Sequence, residues 1–225
     1  MNLSGLRSLT GGPLHWDNPL MDKTDAIVLL GPTGSGKTPL GDALAAEGLW
    51  GRRCAHFDFG NELRSLAAAP GPPYFLSEAD GSLVQNVLAS GALLEDERFY
   101  IAERMLIAFL AEAAVGEGWV VLNGMPRHLG QARDIEPIVS VRAVVELRCT
   151  PQGVSKRLAA NTGGDRTGRT DDQPDAVDKK LQIYTDRVEP LIDYYRDRGV
   201  RVETLDVAAT TDATDMRHAL ETRRE

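Results

Sequence analysis

The sequence predicts an α/β protein whose five-stranded parallel sheet is covered by helices on both faces, and three observations predict it. Short apolar runs recur at Ala26–Leu30, Cys54–Phe59, Trp119–Leu122, Ala143–Leu147 and Val200–Leu205. Most are apolar nearly throughout instead of alternating, as strands buried on both faces require. The segments between them read as helical, and strand–helix alternation builds a parallel sheet because each crossover must pass over a face. The third observation is Gly31-Pro32-Thr33-Gly34-Ser35-Gly36-Lys37-Thr38, directly after the first run, which fits the P-loop pattern at every fixed position.

A strand before and a helix after are the context that this loop needs. Its glycines let successive backbone N–H groups curl round a phosphate, and the helix N-terminus adds partial positive charge. Gly31, Gly34, Ser35, Gly36, Lys37 and Thr38 are therefore the candidate ATP-binding residues. Lys37 would reach the β- and γ-phosphates, and the Thr38 hydroxyl would ligate Mg2+. A plain glycine-rich turn is the alternative, and Lys-Thr at the required offset argues against it.

The second run leads into His56-Phe57-Asp58-Phe59-Gly60-Asn61-Glu62-Leu63-Arg64, followed by a Pro/Gly-rich break from Ala67 to Tyr74. From Asp96 onward, Phe99, Ala102, Leu106, Phe109 and Leu110 fall at helical spacing, and Gly116 and Gly118 end that segment. The third run continues into Asn123-Gly124-Met125-Pro126-Arg127-His128-Leu129-Gly130-Gln131. After the fourth come Arg157 and a Gly-, Asp-, Thr- and Arg-rich loop from Asn161 to Asp175, long enough to serve as a lid. Tyr184 to Tyr195 precedes the last strand.

Composition bounds the rest. The 225 residues suffice for one large domain, and 42% hydrophobic with 26% charged residues is ordinary for a globular protein. A net charge of −8 argues against nucleic acid as a partner. No apolar run approaches a membrane span. Residues 1–24 read as an extension ahead of one P-loop domain at 25–225, and Met1–Lys23 lacks the apolar segment of a secretory signal. A cytoplasmic location is expected. Cys54 and Cys149 stand apart, and the four histidines show no ligand spacing, so neither a zinc site nor a disulfide framework is expected. His56 reads as a partly buried strand histidine.

Taken in order, these segments resemble the nucleoside monophosphate kinases, especially adenylate kinase and UMP–CMP kinase of the short-lid type, from about Ala26 to Gly199. The resemblance implies a P-loop NTPase α/β/α fold with an acceptor-binding arm at about 60–95 and a short lid at about 160–173. It implies ATP and Mg2+ as cofactors, a small phosphate-bearing acceptor, and a monomer. Arg64 and Arg127 would hold the acceptor's phosphate, beside Gly124. Arg157, Arg166 and Arg169 would close over the ATP phosphates, with Asp171 and Asp172 steering the lid arginines by pairing with them. With Lys37 and Arg127, these arginines form the expected catalytic set, since phosphoryl transfer is positioning plus charge stabilisation and guanidinium grips phosphate with two parallel N–H groups. Gln131 would read the edge of the acceptor base; a helix-surface glutamine is the alternative.

Four departures bear on the acceptor. Phe59 stands where the family carries Thr or a small residue, and its ring would fill volume beside the acceptor or stack on a base. The segment from Arg64 to Gly81 differs from its family counterpart. Asn123 replaces an Asp that helps fix the water shell of Mg2+; its amide can still orient a metal-bound water, with one negative charge fewer. Asn161 and Lys180 stand where Arg is usual. The expected activity is transfer of the γ-phosphoryl group of Mg·ATP to a phosphate-bearing acceptor, foremost a nucleoside monophosphate. A small phosphorylated or phosphonate metabolite is the alternative acceptor, and a regulatory module that binds nucleotide without transfer is the further alternative. The P-loop segment also resembles the start of tRNA prenyltransferases, but the net charge and the arginine series go unexplained on that reading.

Overall fold

The computed structural model describes residues 23–69, 71, 76–90, 94–165 and 174–223. Strand β1 (Thr24–Leu30) enters the P-loop and helix α1 (Lys37–Glu47), and β2 (Cys54–Asp58) runs straight into α2 (Phe59–Ala68). Helix α3 (Glu78–Ser90), a 3-10 turn (Asp96–Arg98) and α4 (Phe99–Ala113) precede β3 (Trp119–Asn123). Helix α5 (Leu129–Asp134), β4 (Val139–Arg148) and α6 (Pro151–Ala160) follow. The chain then forms α7 (Pro174–Ile183), a π-helical turn (Tyr184–Val188), α8 (Pro190–Arg196), β5 (Arg201–Asp206) and α9 (Ala213–Glu221).

All five strands are parallel, in the order β2-β3-β1-β4-β5. The chain leaves β1 to one side for β2 and β3, then returns past β1 to lay down β4 and β5. The crevice at the C-terminal end of β1 is therefore the switch point where such sheets bind ligands. Burial on both faces explains the apolar runs. Ala26, Val28 and Leu30 join the core on one side of the sheet, with Phe57, Leu106 and Tyr195. Ile27 and Leu29 join the other, with Leu40, Leu44, Val145 and Met216. Each large apolar side chain so buried contributes roughly 1.5–3 kcal/mol.

Several strand boundaries differ from expectation, two of them for plain physical reasons. Strand β4 begins at Val139, four residues ahead of the apolar run, because Ser140 pairs with Asp25 and carries the strand past the body of the sheet. Strand β2 ends at Asp58, one residue early. Its carboxylate accepts the backbone N–H of Asn61 at 3.0 Å and caps α2, so Phe59 is the first helical residue.

Helix α3 starts on a reciprocal cap. The Ser77 N–H and hydroxyl both donate to Asp80 Oδ2 at 2.8 Å, and the Asp80 N–H donates to Ser77 Oγ at 3.2 Å. The Tyr100 hydroxyl of α4 donates to the other oxygen of Asp80, tying α3 to the helix behind it. That anchorage positions Val87 and Leu88, which reach the site.

Candidate active site

At the C-terminal strand ends lies a cavity lined on one side by the P-loop and on the other by α2, α3 and the segment after β3. On the P-loop side, Lys37 Nζ donates to the carbonyls of Gly31 at 2.7 Å and Pro32 at 2.8 Å, arching back over the loop. Gly36 has φ +98°, a conformation that side-chain-bearing residues rarely adopt, and a Cβ there would lie 3.0 Å from the Arg157 guanidinium. Gly31, Gly34 and Gly36 line the cavity with Lys37 and Thr38. Ser35 differs: its side chain is fully buried and outside the lining, so its place in the expected ATP-binding set rests on its backbone N–H alone.

At the back of the cavity three side chains meet. The Thr38 hydroxyl donates to Asp58 Oδ2 at 2.7 Å. Asn123 Nδ2 donates to Thr38 Oγ1 at 3.0 Å and to Asp58 Oδ2 at 3.1 Å. Burial would raise the pKa of Asp58, yet the Thr38 hydroxyl, the Asn61 N–H and the nearby His56 and Arg64 together hold its carboxyl below the usual range. Behind Asn123 lies His56, whose Nε2 is 3.3 Å from Asn123 Nδ2 and whose Nδ1 is 2.8 Å from Asp42 Oδ1. Asp58 escaped the sequence reading, although a strand-end Asp ahead of Leu63 and Leu66 is an N-cap signal.

Arg64 and Arg127 line the opposite wall, with Gly60, Leu63, Gly124 and Pro126. Arg127 Nε donates to the Gly124 carbonyl at 2.6 Å, which points the rest of the guanidinium fork elsewhere. Gly124 permits this turn through a φ of +83°. Burial lowers the pKa of Arg127 and Arg64 lowers it further, opposed by Asp58. A partly buried cation with a second cation beside it suits a doubly charged anion, which would relieve both the burial and the repulsion at Arg127.

Three further expectations are corrected. Phe59 does not line the cavity; starting α2 turns its ring into the core, 1% exposed and stacked on Phe57 with centroids 6.2 Å apart. Gln131 is buried under the site, its Oε1 accepting the Arg127 N–H at 2.8 Å and its Nε2 donating to the Leu94 carbonyl at 2.8 Å. It shapes the segment carrying Arg127 and does not face an acceptor. Arg157 is 3% exposed and also lies outside the lining. Its Nε donates to the Gly34 carbonyl at 2.9 Å, and its Nη1 donates to the carbonyls of Ala208 and Thr211, each at 2.7 Å. It braces the P-loop instead of closing on phosphates.

Asn161 takes the left-handed cap that ends α6, with φ 46°, a conformation that asparagine tolerates better than arginine. Lys180, Asp165 and Tyr184 complete the cavity wall. Arg166, Arg169, Asp171 and Asp172 lie outside the described residues, as do residues 1–22 of the extension and part of the Pro/Gly-rich break.

A family model for adenylate kinase matches residues 29–200, from the end of β1 to the entrance of β5. The chain belongs to the adenylate kinase family. Curated relatives agree. An adenylate kinase of Xanthomonas campestris pv. campestris (strain B100) is 35% identical over 178 residues, which cover 77% of this chain and 86% of that protein. An adenylate kinase of Xylella fastidiosa (strain M12) is 35% identical over 179 residues, covering 77% and 87%. Among solved structures, a gluconokinase from Sinorhizobium meliloti 1021 shares the fold, with a TM-score of 0.53 at 20% identity over 91% of this chain and 93% of that one. This adenylate kinase family member is thus an ATP-dependent phosphotransferase.

The donor set at its back fits Mg2+. A hydroxyl and a carboxylate are hard oxygen donors, and Mg2+ completes its shell with water and nucleotide phosphates. Thr38 would ligate the ion directly, with Asp58 and Asn123 behind it.

Proposed function

We propose that this protein transfers the γ-phosphoryl group of ATP to a nucleoside monophosphate, AMP being the foremost candidate. The observation that carries the reading is the placement of Arg64 and Arg127 across one cavity from Lys37 and Thr38. Two polyanions held against opposite walls of a single cleft are positioned for direct transfer between them. The adenylate kinase relatives support AMP as the acceptor.

The chain's residues then divide the work. The P-loop amides and Lys37 hold the β- and γ-phosphates, while Arg127 and Arg64 bring the acceptor's phosphate into line. An acceptor oxygen attacks the γ-phosphorus as the bond to the β-phosphate oxygen breaks, and ADP leaves with that electron pair. Thr38, backed by Asp58 and Asn123, would hold Mg2+, which would supply positive charge to offset that of the ATP phosphates. The arm at about 60–95 and the lid at about 160–173 would close on the two substrates and exclude water, with Arg166 and Arg169 of the lid over the ATP phosphates and Asp171 and Asp172 pairing with them.

One observation favours a second reading, a small phosphorylated or phosphonate acceptor. Both ends of the Gln131 amide are engaged within the protein, so the group expected to read a base edge is already occupied. A coupled ADP-release assay decides between the two. Mg·ATP is supplied with AMP, CMP, UMP, GMP and dTMP beside small phosphates and phosphonates, with Lys37→Ala as control. Turnover strongest with AMP supports the first reading. Turnover confined to small acceptors overturns it in favour of the second, and hydrolysis without transfer overturns both.

A further inference from the structure

The back of the cavity holds one carboxylate and one amide in adjoining strands, and their arrangement is directional. Asp58 and Asn123 are the last residues of β2 and β3 and are paired in the sheet register. Asn123 Nδ2 is surrounded by acceptors: Asp58 Oδ2 at 3.1 Å, Thr38 Oγ1 at 3.0 Å and His56 Nε2 at 3.3 Å. Asp42 Oδ1, 2.8 Å from His56 Nδ1, can only accept while ionised, which favours the tautomer with its proton on Nδ1 and leaves Nε2 to accept from the amide. The chain Asp42–His56–Asn123–Asp58 thus fixes which way the amide points, with nitrogen toward the carboxylate. A carboxylate at position 123 would face Asp58 Oδ2 with no donor between them and meet the lone pair of His56 Nε2. The surroundings of position 123 are built for an amide.

We propose that Asp58 supplies the negative charge of the metal shell beside Thr38, and that Asn123 is a positioning residue that aims this carboxylate and must remain uncharged while Asp58 is present. The charge sits at the end of β2, bonded directly to the hydroxyl that would ligate the ion. The amide at position 123, read from the sequence as a lost charge, thereby acquires a reason. The inference rests on the reading of this cavity as a Mg·ATP site.

The test uses the full chain and three variants, Asp58→Asn, Asn123→Asp and the double variant. Asparagine at 58 keeps the N-cap bond to Asn61, so the start of α2 survives the change. Mn2+ with the non-hydrolysable analogue β,γ-imido-ATP is the probe, and free Mn2+ is read by electron paramagnetic resonance. Asp58→Asn is expected to weaken Mn2+ retention at least about tenfold, as removal of a supporting shell group does. The double variant is expected to recover it, because the carboxylate has moved only across one strand pair. In metal-free buffer Asn123→Asp alone is expected to melt about 2–4 °C lower, the shift that follows roughly 1 kcal/mol of like-charge repulsion in a chain of this size, and the double variant to melt as the wild type does.

Mn2+ retention unchanged in a folded Asp58→Asn variant would overturn the role given to Asp58. Wild-type melting of Asn123→Asp would overturn the exclusion between the two positions. Failure of the wild-type chain to hold Mn2+ with the analogue would instead overturn the Mg·ATP reading and this inference with it.

Discussion

Arg157 is bonded to Gly34: its Nε donates to the glycine carbonyl at 2.9 Å, across 123 residues of sequence. Through Nη1 the same guanidinium also holds the carbonyls of Ala208 and Thr211, in the loop between β5 and α9. One side chain therefore fastens the phosphate loop to the far edge of the sheet.

Replacing Arg157 with Ala should cost stability as well as nucleotide binding. Hydrogen bonds from a charged donor contribute about 1.5–3 kcal/mol each and are not additive, so a loss of roughly 2–4 kcal/mol is expected. Denaturant unfolding and calorimetric ATP binding check this together. A fall in kcat with unchanged stability and unchanged ATP affinity would instead place the side chain on the transferring phosphate.

Gly41 of α1 packs directly on His56, so that a Cβ on the glycine would lie 2.3 Å from His56 Nε2. The ring cannot simply swing away, because its side chain is only 6% exposed and bonded to Asp42. Gly41→Ala should therefore destabilise by about 1–3 kcal/mol through overpacking. It should also disturb Asn123, which is read by weaker Mn2+ retention with the ATP analogue. Full retention in the variant would show that His56 does not support the amide.

Arg64 is exposed on α2, whereas Arg127 is half-buried and braced by Gly124 and Gln131. Arg64→Ala should therefore weaken acceptor binding with little change in melting temperature. Arg127→Ala should lower turnover by about 10²–10³, the cost of losing one preorganised charge-stabilising donor. Steady-state kinetics with AMP varied at saturating ATP separates the two, and a change confined to the KM for ATP would contradict both assignments.

The cap at Asp80 predicts a pH dependence. The Tyr100 hydroxyl, opposed by burial and supported by Ser77 and Arg104, holds the Asp80 carboxyl below its ordinary value of 3.8. A depressed folded-state pKa contributes stability that is complete above the unfolded value and lost as pH falls through the folded one. Asp80→Ala should cost about 1–2 kcal/mol at neutral pH, as loss of a helix cap does. The gap from wild type should narrow below pH 3.8, measured by thermal unfolding from pH 7 to pH 3. A gap independent of pH would assign the loss to packing.

Much of the fold and half of the site were legible in the sequence for a local reason. Gly31–Thr38 shapes itself: its glycines, the preceding apolar run and the following helix all lie within about 20 residues, and backbone sterics dictate the loop. Doubly buried strands likewise announce themselves through continuous apolar runs, so the parallel sheet followed from Ala26–Leu30 and its counterparts. Arg64, Arg127 and Gly124 were named through the family resemblance, and all three line the cavity.

Tertiary structure decided what depends on a partner distant in sequence. Arg157 and Gln131 carry the residue types of phosphate and base recognition, yet three carbonyls claim the first, and Leu94 and the Arg127 backbone claim the second. Phe59 left the acceptor site because Asp58, one residue earlier, capped a helix and turned the ring into the core. Asp58 itself met Asn123 only because β2 lies beside β3 in the sheet. A side chain's chemistry is written in its residue type, but its task is set by the donors and acceptors that folding places within about 3 Å of it, the range over which hydrogen bonds act.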